Sequence, residues 1–126
     1  MKPQPKIIFF DIDETLYINR GKKYVPESAK TALKLLKQKG IITAIATGRT
    51  IPIIPPKIVE LIEECGIDMI VSLNGQYVEY QGKALAKFPL DNALLTRFSG
   101  CLKARGIAHM LATREGLFAI AENRYL

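Results

Sequence analysis

Two cysteines, one histidine and no tryptophan leave this chain short of several kinds of chemistry. Cys65 and Cys101 are too few and too irregularly placed for a disulfide framework or a zinc knuckle. Both fall in helical patterns, which predicts buried, reduced thiols. No apolar run approaches the length of a membrane span. The opening "MKPQPKIIFF" holds a run of only four apolar residues before Asp11, too short for a signal-peptide core. A cytoplasmic chain that stays out of membranes is the expectation. Basic residues are in excess, 18 Lys+Arg against 12 Asp+Glu for a formal charge of +6. No aromatic RNA-binding signature or DNA-binding motif accompanies that charge. The lysines therefore read as a solvated surface, and no nucleic-acid partner is expected. Repeats and low-complexity tracts are also missing.

What is present is a globular composition, 48% hydrophobic and 24% charged, in 126 residues, enough for one domain with a real core. Residues 6–11 ("KIIFFD") predict a buried strand. In "VPESAKTALKLLKQKG", Ala29, Ala32, Leu33 and Leu36 recur at helical spacing, with Pro26 suited to the first turn and Gly40 to the exit. "IITAIA" (41–46) predicts a second strand, residues 55–65 a second helix, and "DMIVSL" (68–73) a third strand. That alternation, with near-continuous apolar strands, predicts an α/β fold with a Rossmann-like parallel sheet of three strands and helices. Right-handed crossovers place every strand C-terminus on one edge, where open α/β sheets bind ligands. Asp11, Thr47 and Asn74 each follow a strand. Past Asn74 the pattern changes. "QYVEY" and "KALAKF" predict a hairpin, and "DNALLTRFSGCLKARG" a helix with Asp91 as N-cap. "IAHMLA" and "LFAIAE" predict a second hairpin around "TREG".

The stretch "IIFFDIDETLY" sends two carboxylates, Asp11 and Asp13, out of the end of an apolar strand. Two close carboxylates repel, and a hard divalent cation such as Mg2+ relieves that repulsion. One carboxylate can then attack phosphorus, and a neighbouring carboxyl can protonate the leaving oxygen. In "AIATGRT" (44–50), Thr47 offers a hydroxyl and Gly48 lets backbone amides approach an anion. Arg49 suits either a phosphate contact or an anchor for the loop, with anchoring favoured. Plainer readings stand beside these: Asp11 and Asp13 as a solvated turn, Thr47 as a helix cap, Asn74-Gly75 as a simple turn. Receiver domains also set a phosphorylatable Asp at a strand end, but they place it on a later strand.

"DIDETLY" resembles the first motif, D-x-D-x-T, of the haloacid dehalogenase-like (HAD) hydrolases. "ATGR" resembles their second, and "VSLNGQYV" the segment after the third strand in the Cof-type, sugar-phosphatase-like branch. Glu14 departs from that branch, which more often has Gly there. The resemblance implies Asp11 as nucleophile with one oxygen on Mg2+. It implies Asp13 as general acid/base, with its main-chain carbonyl also on the metal. Thr47, Gly48, Arg49, Asn74 and Gly75 would form the phosphate and substrate contacts, and Thr15 would brace the loop. It further implies a core over residues 1–87 and the beginning of an α/β cap over 88–126. The implied activity is a Mg2+-dependent phosphatase of small phosphorylated metabolites, sugar phosphates above all, working through an aspartyl phosphate.

Two further motifs of the resemblance find no counterpart: a lysine that neutralises the phosphorylated nucleophile and an acidic "GDxxND"-like loop. No Gly-Asp pair occurs in the chain. The expectation is therefore a truncated pattern and a weak or inactive catalyst. The alternative is a non-catalytic remnant acting as a binding or oligomerising module. The first strand would lie at an exposed apolar edge, a place for self-association.

Overall fold

Ile7–Phe10 forms β1, the first strand of a computed structural model that describes residues 2–120. α1 (Glu27–Gln38) follows, then β2 (Ile42–Ala46), α2 (Pro56–Cys65) and β3 (Met69–Ser72). β1 and β2 pair in parallel from Ile7↔Ile42 to Phe10↔Ile45, and β2 and β3 from Ala44↔Met69 to Ala46↔Val71. This is the Rossmann-like α/β core that the alternating pattern predicts. α1 and α2 lie side by side, with α1 packed on β2. Pro26 stands just outside α1 as its N-cap, one position earlier than the first turn. α2 ends at Gly66, whose left-handed backbone (φ 64°) only glycine adopts without cost.

The core lies between these helices and the sheet. Ile12, Leu33, Ile45, Ile58 and Leu61 are all fully or almost fully buried in one cluster. The amphipathic stripes explain it: Leu33 points inward from α1, and Ile58, Leu61 and Cys65 from α2. Burial pushes the Cys65 thiol pKa up, with the Glu64 charge adding to the effect. Cys101 corrects the expectation of two buried thiols. It lies exposed on α3 (Asn92–Ala104), because that helix has no buried residue at all.

The predicted hairpin is β4 (Tyr77–Tyr80) with β5 (Lys83–Lys87), but it does not stand apart from the core. β4 turns back against β3, Ser72 facing Tyr77, so the sheet has five strands in the order β1-β2-β3-β4-β5. The reversal is made by Leu73, Asn74 and Gly75, all at positive φ (51°, 55° and 94°). Asn and Gly tolerate that region; Leu73 is held there against its preference. At the other end of the sheet, β1 pairs with β2 and with no other strand among the described residues, which leaves the expected edge open there.

Asp91 caps α3 as predicted, its carboxylate accepting from the Leu94 N–H at 2.9 Å. β6 (Met110–Thr113) and β7 (Gly116–Ala119) form a separate two-stranded sheet. The second predicted strand of this hairpin runs on to Glu122, which lies outside the described residues. Leu94 and Phe98 on α3 are 57% and 63% exposed, since a two-stranded ribbon is too small to cover them. The hairpin is tied to the core at its tip. Thr50 donates its hydroxyl to the Thr113 carbonyl, and Arg114 pairs with the buried Glu79 at 3.1 Å. His109 bonds Ser99 through Nε2 at 2.7 Å and the Ile107 carbonyl through Nδ1 at 3.0 Å. Both ring nitrogens are thus engaged by protein contacts.

Candidate active site

Because β1, β2 and β3 begin on the same side and run in parallel, the loops that leave them meet at one end of the sheet. A cleft of about 470 Å3 opens there, and Asp11, Thr47, Gly48, Asn74 and Gly75 all line it. The apolar floor comes from the strands themselves, through Phe10, Ala46 and Val71.

The loops after β2 and β3 are knitted by main-chain bonds. Thr47 N–H donates to the Val71 carbonyl at 2.9 Å, Asn74 N–H to Thr47 at 3.1 Å, and Leu73 N–H to Arg49 at 3.1 Å. Thr47 is buried, and its Oγ1 accepts the Arg49 N–H at 3.1 Å. That acceptor bond leaves the hydroxyl proton to be given to something else. Gly48 lies against Asn74: a Cβ built on it would stand 3.1 Å from Asn74 Oδ1. Glycine lets the backbone come this close, and the Gly48 N–H bonds to no main-chain carbonyl among the described residues.

Asp11 is exposed at the cleft, and its Oδ1 accepts the Ile12 N–H at 2.7 Å. Asp13 does not line the cleft. Its Oδ1 takes bonds from Arg49 Nη2 (2.7 Å) and Asn19 Nδ2 (2.8 Å), and its Oδ2 takes one from Arg49 Nε (3.1 Å). The Arg49 guanidinium, aided by Asn19 and opposed by partial burial, holds the Asp13 carboxyl below its ordinary value. Of the two roles the sequence left for Arg49, the side chain takes the anchoring one. Thr15 gives its N–H to the Ile12 carbonyl at 3.2 Å and leaves its side chain exposed. Asn19 was not legible as a site residue. It reaches Asp13 because Ile18 and Tyr24 bridge and fold the loop back, and no local pattern signals that.

Glu14, the departure from the resembled motif, sits at φ 62°. That left-handed conformation explains why glycine suits the position. Here the side chain offsets part of the cost: one oxygen accepts the Asn19 N–H at 3.0 Å, and the other faces Arg20 at 3.7 Å.

Among the described residues no group of three or more His, Cys, Asp or Glu side chains converges to hold a metal. The first loop does offer oxygen. Asp11 Oδ2 and the Asp13 main-chain carbonyl accept no hydrogen bond from described residues. Two hard oxygen donors suit Mg2+, which takes few protein ligands and keeps several waters.

The profile of the haloacid dehalogenase-like hydrolases matches residues 8–125. The Bacillus subtilis (strain 168) protein named "Putative phosphatase YkrA" is 38% identical over 90 residues, covering 71% of this chain and 33% of its own length. A hypothetical protein from Geobacillus kaustophilus HTA426 has a similar structure (TM-score 0.77, 35% identity) over 96% of this chain and 45% of that one. The HAD subclass IIB sugar phosphatase BT4131 gives a TM-score of 0.78 at 25% identity, over 95% of this chain and 45% of its own. The chain thus spans between a third and just under half of the length of these relatives. No helix among the described residues is long and apolar enough to cross a membrane.

Proposed function

The chain belongs to the haloacid dehalogenase-like hydrolase family, and we propose that it carries the nucleophile and phosphate cradle of a Mg2+-dependent phosphatase. Small phosphorylated metabolites are the substrates, sugar phosphates foremost, in keeping with the sugar phosphatase it resembles. One observation carries the reading: Asp11, Thr47, Gly48 and Asn74, from three separate strand ends, line a single cleft.

In this mechanism the Asp11 carboxylate attacks phosphorus and the P–O bond to the leaving group breaks, giving an aspartyl phosphate. The Thr47 hydroxyl, already oriented by the Arg49 N–H, donates to a phosphoryl oxygen, and the Gly48 N–H donates to another. To act as the acid–base group, Asp13 would have to leave the Arg49 fork that holds it ionised outside the cleft. It would then give a proton to the leaving oxygen and later take one from the water that hydrolyses the acyl phosphate. Asn74 and Gly75 shape the wall of the cleft. Asp11 Oδ2 and the Asp13 carbonyl would hold Mg2+. When bound, Mg2+ screens the negative charge of the phosphoryl group. By the same resemblance, residues 88–126 would belong to the beginning of an α/β cap. With the lysine and acidic loop of the resembled pattern missing, the purified chain is expected to release p-nitrophenol from p-nitrophenyl phosphate only slowly with Mg2+, and to stop on addition of EDTA. No turnover, or turnover indifferent to EDTA, counts against the proposal.

The open edge of β1 gives a second proposal. Its outer N–H and C=O groups have no strand partner among the described residues, and Phe9 is 52% exposed. Two chains pair along this edge. Light scattering at tens of micromolar is expected to give a mass above that of one chain; a mass of one chain overturns the pairing.

A further inference from the structure

Glu79 is out of pattern. It stands in β4 opposite Ile70, which in turn faces Ile45, so its side chain points to the face of the sheet that α1 and α2 cover. A carboxylate at a core-facing position is costly unless it is paired. The partner comes from far along the chain. Arg114 Nη2, in the turn between β6 and β7, donates to Glu79 Oε1 at 3.1 Å, and the Tyr77 hydroxyl donates to the same oxygen at 3.1 Å. The guanidinium also lies over the Tyr77 ring, 5.8 Å from its centre. Over β4, the turn thus continues the cover that the helices give to the first three strands.

Little else holds this part of the chain. α3 has no buried residue. Among the described residues, two hydrogen bonds join 89–120 to the core: the one from Arg114, and the one from Thr50 to the Thr113 carbonyl. Both lie at the turn, where β7 packs beside residues 51–53. Within the segment, α3 and the ribbon are joined by Ser99 and His109, and Leu95, Leu111 and Ile120 line a shared cleft. These contacts make one body of α3, β6 and β7, attached to β5 through residues 88–91. We infer that Glu79 and Arg114 are the latch that seats this body on the core, beside the loop that carries Thr47 and Gly48, and that breaking the pair lets it lift. The seat is held by a charge pair rather than by apolar burial. Lifting takes from Glu79 its cation, which is what keeps the seated state favoured.

Glu115 stands in the latched turn, and a glutamate-specific endoprotease can cut after it only when the turn is lifted and extended. Glu79→Ala leaves the sequence around that bond unchanged. It is expected to speed cleavage there by about 10- to 100-fold, the loss of a hydrogen bond to a charged group where cleavage follows the opened population. Glu79→Gln keeps an acceptor oxygen and loses the charge, so its rate should fall between. Lys87→Ala removes the other cation over the Tyr77 ring, and its rate should stay within about threefold of the parent. In an Arg114→Ala background, Glu79→Ala should have no further effect. Cleavage after Glu63 and Glu64 of α2 should stay at the parent rate, because the core remains folded. Equal rates at Glu115 in the parent and Glu79→Ala overturn the latch. So does a rise at the α2 sites that matches the rise at Glu115.

A distance measurement decides the matter without a protease. Cys101 is exposed and Cys65 buried, so nitroxides on Cys101 and on Glu60→Cys report the separation of α3 from the core. The parent should give one narrow distance, and Arg114→Ala, which changes a side chain already 44% exposed, a broad distribution. A distance that stays narrow and unshifted in Arg114→Ala overturns the inference.

Discussion

Asp11→Asn is expected to abolish the weak p-nitrophenyl phosphate turnover, taking it into the background of the assay. The amide is almost the same size as the carboxylate, and its oxygen can still accept the Ile12 N–H now taken by Oδ1 at 2.7 Å. The loop therefore keeps its shape. What disappears is the anionic oxygen that forms the bond to phosphorus, together with the charge that holds a divalent cation. Asp11 is exposed and contributes nothing to the buried cluster, so the urea midpoint should match the parent. Measuring both matters. Lost turnover with unchanged stability assigns the nucleophile, whereas turnover within tenfold of the parent places it elsewhere.

The second large effect is on stability. Ile45 is fully buried in the middle of β2, facing Phe10 across one ladder and Ile70 across the other. It belongs to the cluster that α1 and α2 complete through Leu33, Ile58 and Leu61. Ile45→Ala removes methyl and methylene groups from a site walled on both sides by paired backbone, which cannot collapse to fill the gap. A cost of about 2–5 kcal/mol is expected. Against a total of about 5–15 kcal/mol for an ordinary domain, that is a large fraction. Urea denaturation should show the midpoint falling with the slope unchanged. Ile45→Val, which leaves a smaller gap, should cost about 0.5–1.5 kcal/mol. Equal stability of the alanine variant and the parent would mean that the sheet is not organised around this residue.

The apolar runs and helical stripes up to residue 73 gave β1, α1, β2, α2 and β3 within a residue or two, because burial of strands and of helix faces is written into local periodicity. Asp11, Thr47 and Asn74 were legible for the same reason: each directly follows a strand, and parallel pairing brings strand ends together. Long-range polar pairing was not legible. Arg49 finds Asp13 across 36 positions, and Arg114 finds Glu79 across 35. Neither partnership leaves a trace in spacing. The joining of β4 to the core sheet depends on three consecutive positive φ values, one of them at Leu73, a residue that gives no turn signal. Cys101 misled because helical spacing identifies a stripe without saying whether anything covers it. On α3 the cover is partial: Leu95 and Leu102 are half-buried, and no residue of the helix is fully buried.

The order of the strands bears on how such a chain comes into being. Along the five-stranded sheet, neighbours in space are neighbours in sequence, and the longest ladder separation is 35 positions, from Ile7 to Ile42. Closing loops of that size costs little entropy, and short separations favour rapid assembly. Each strand can dock on the one made just before it, so during synthesis the sheet can grow outward from β1 at the pace of translation.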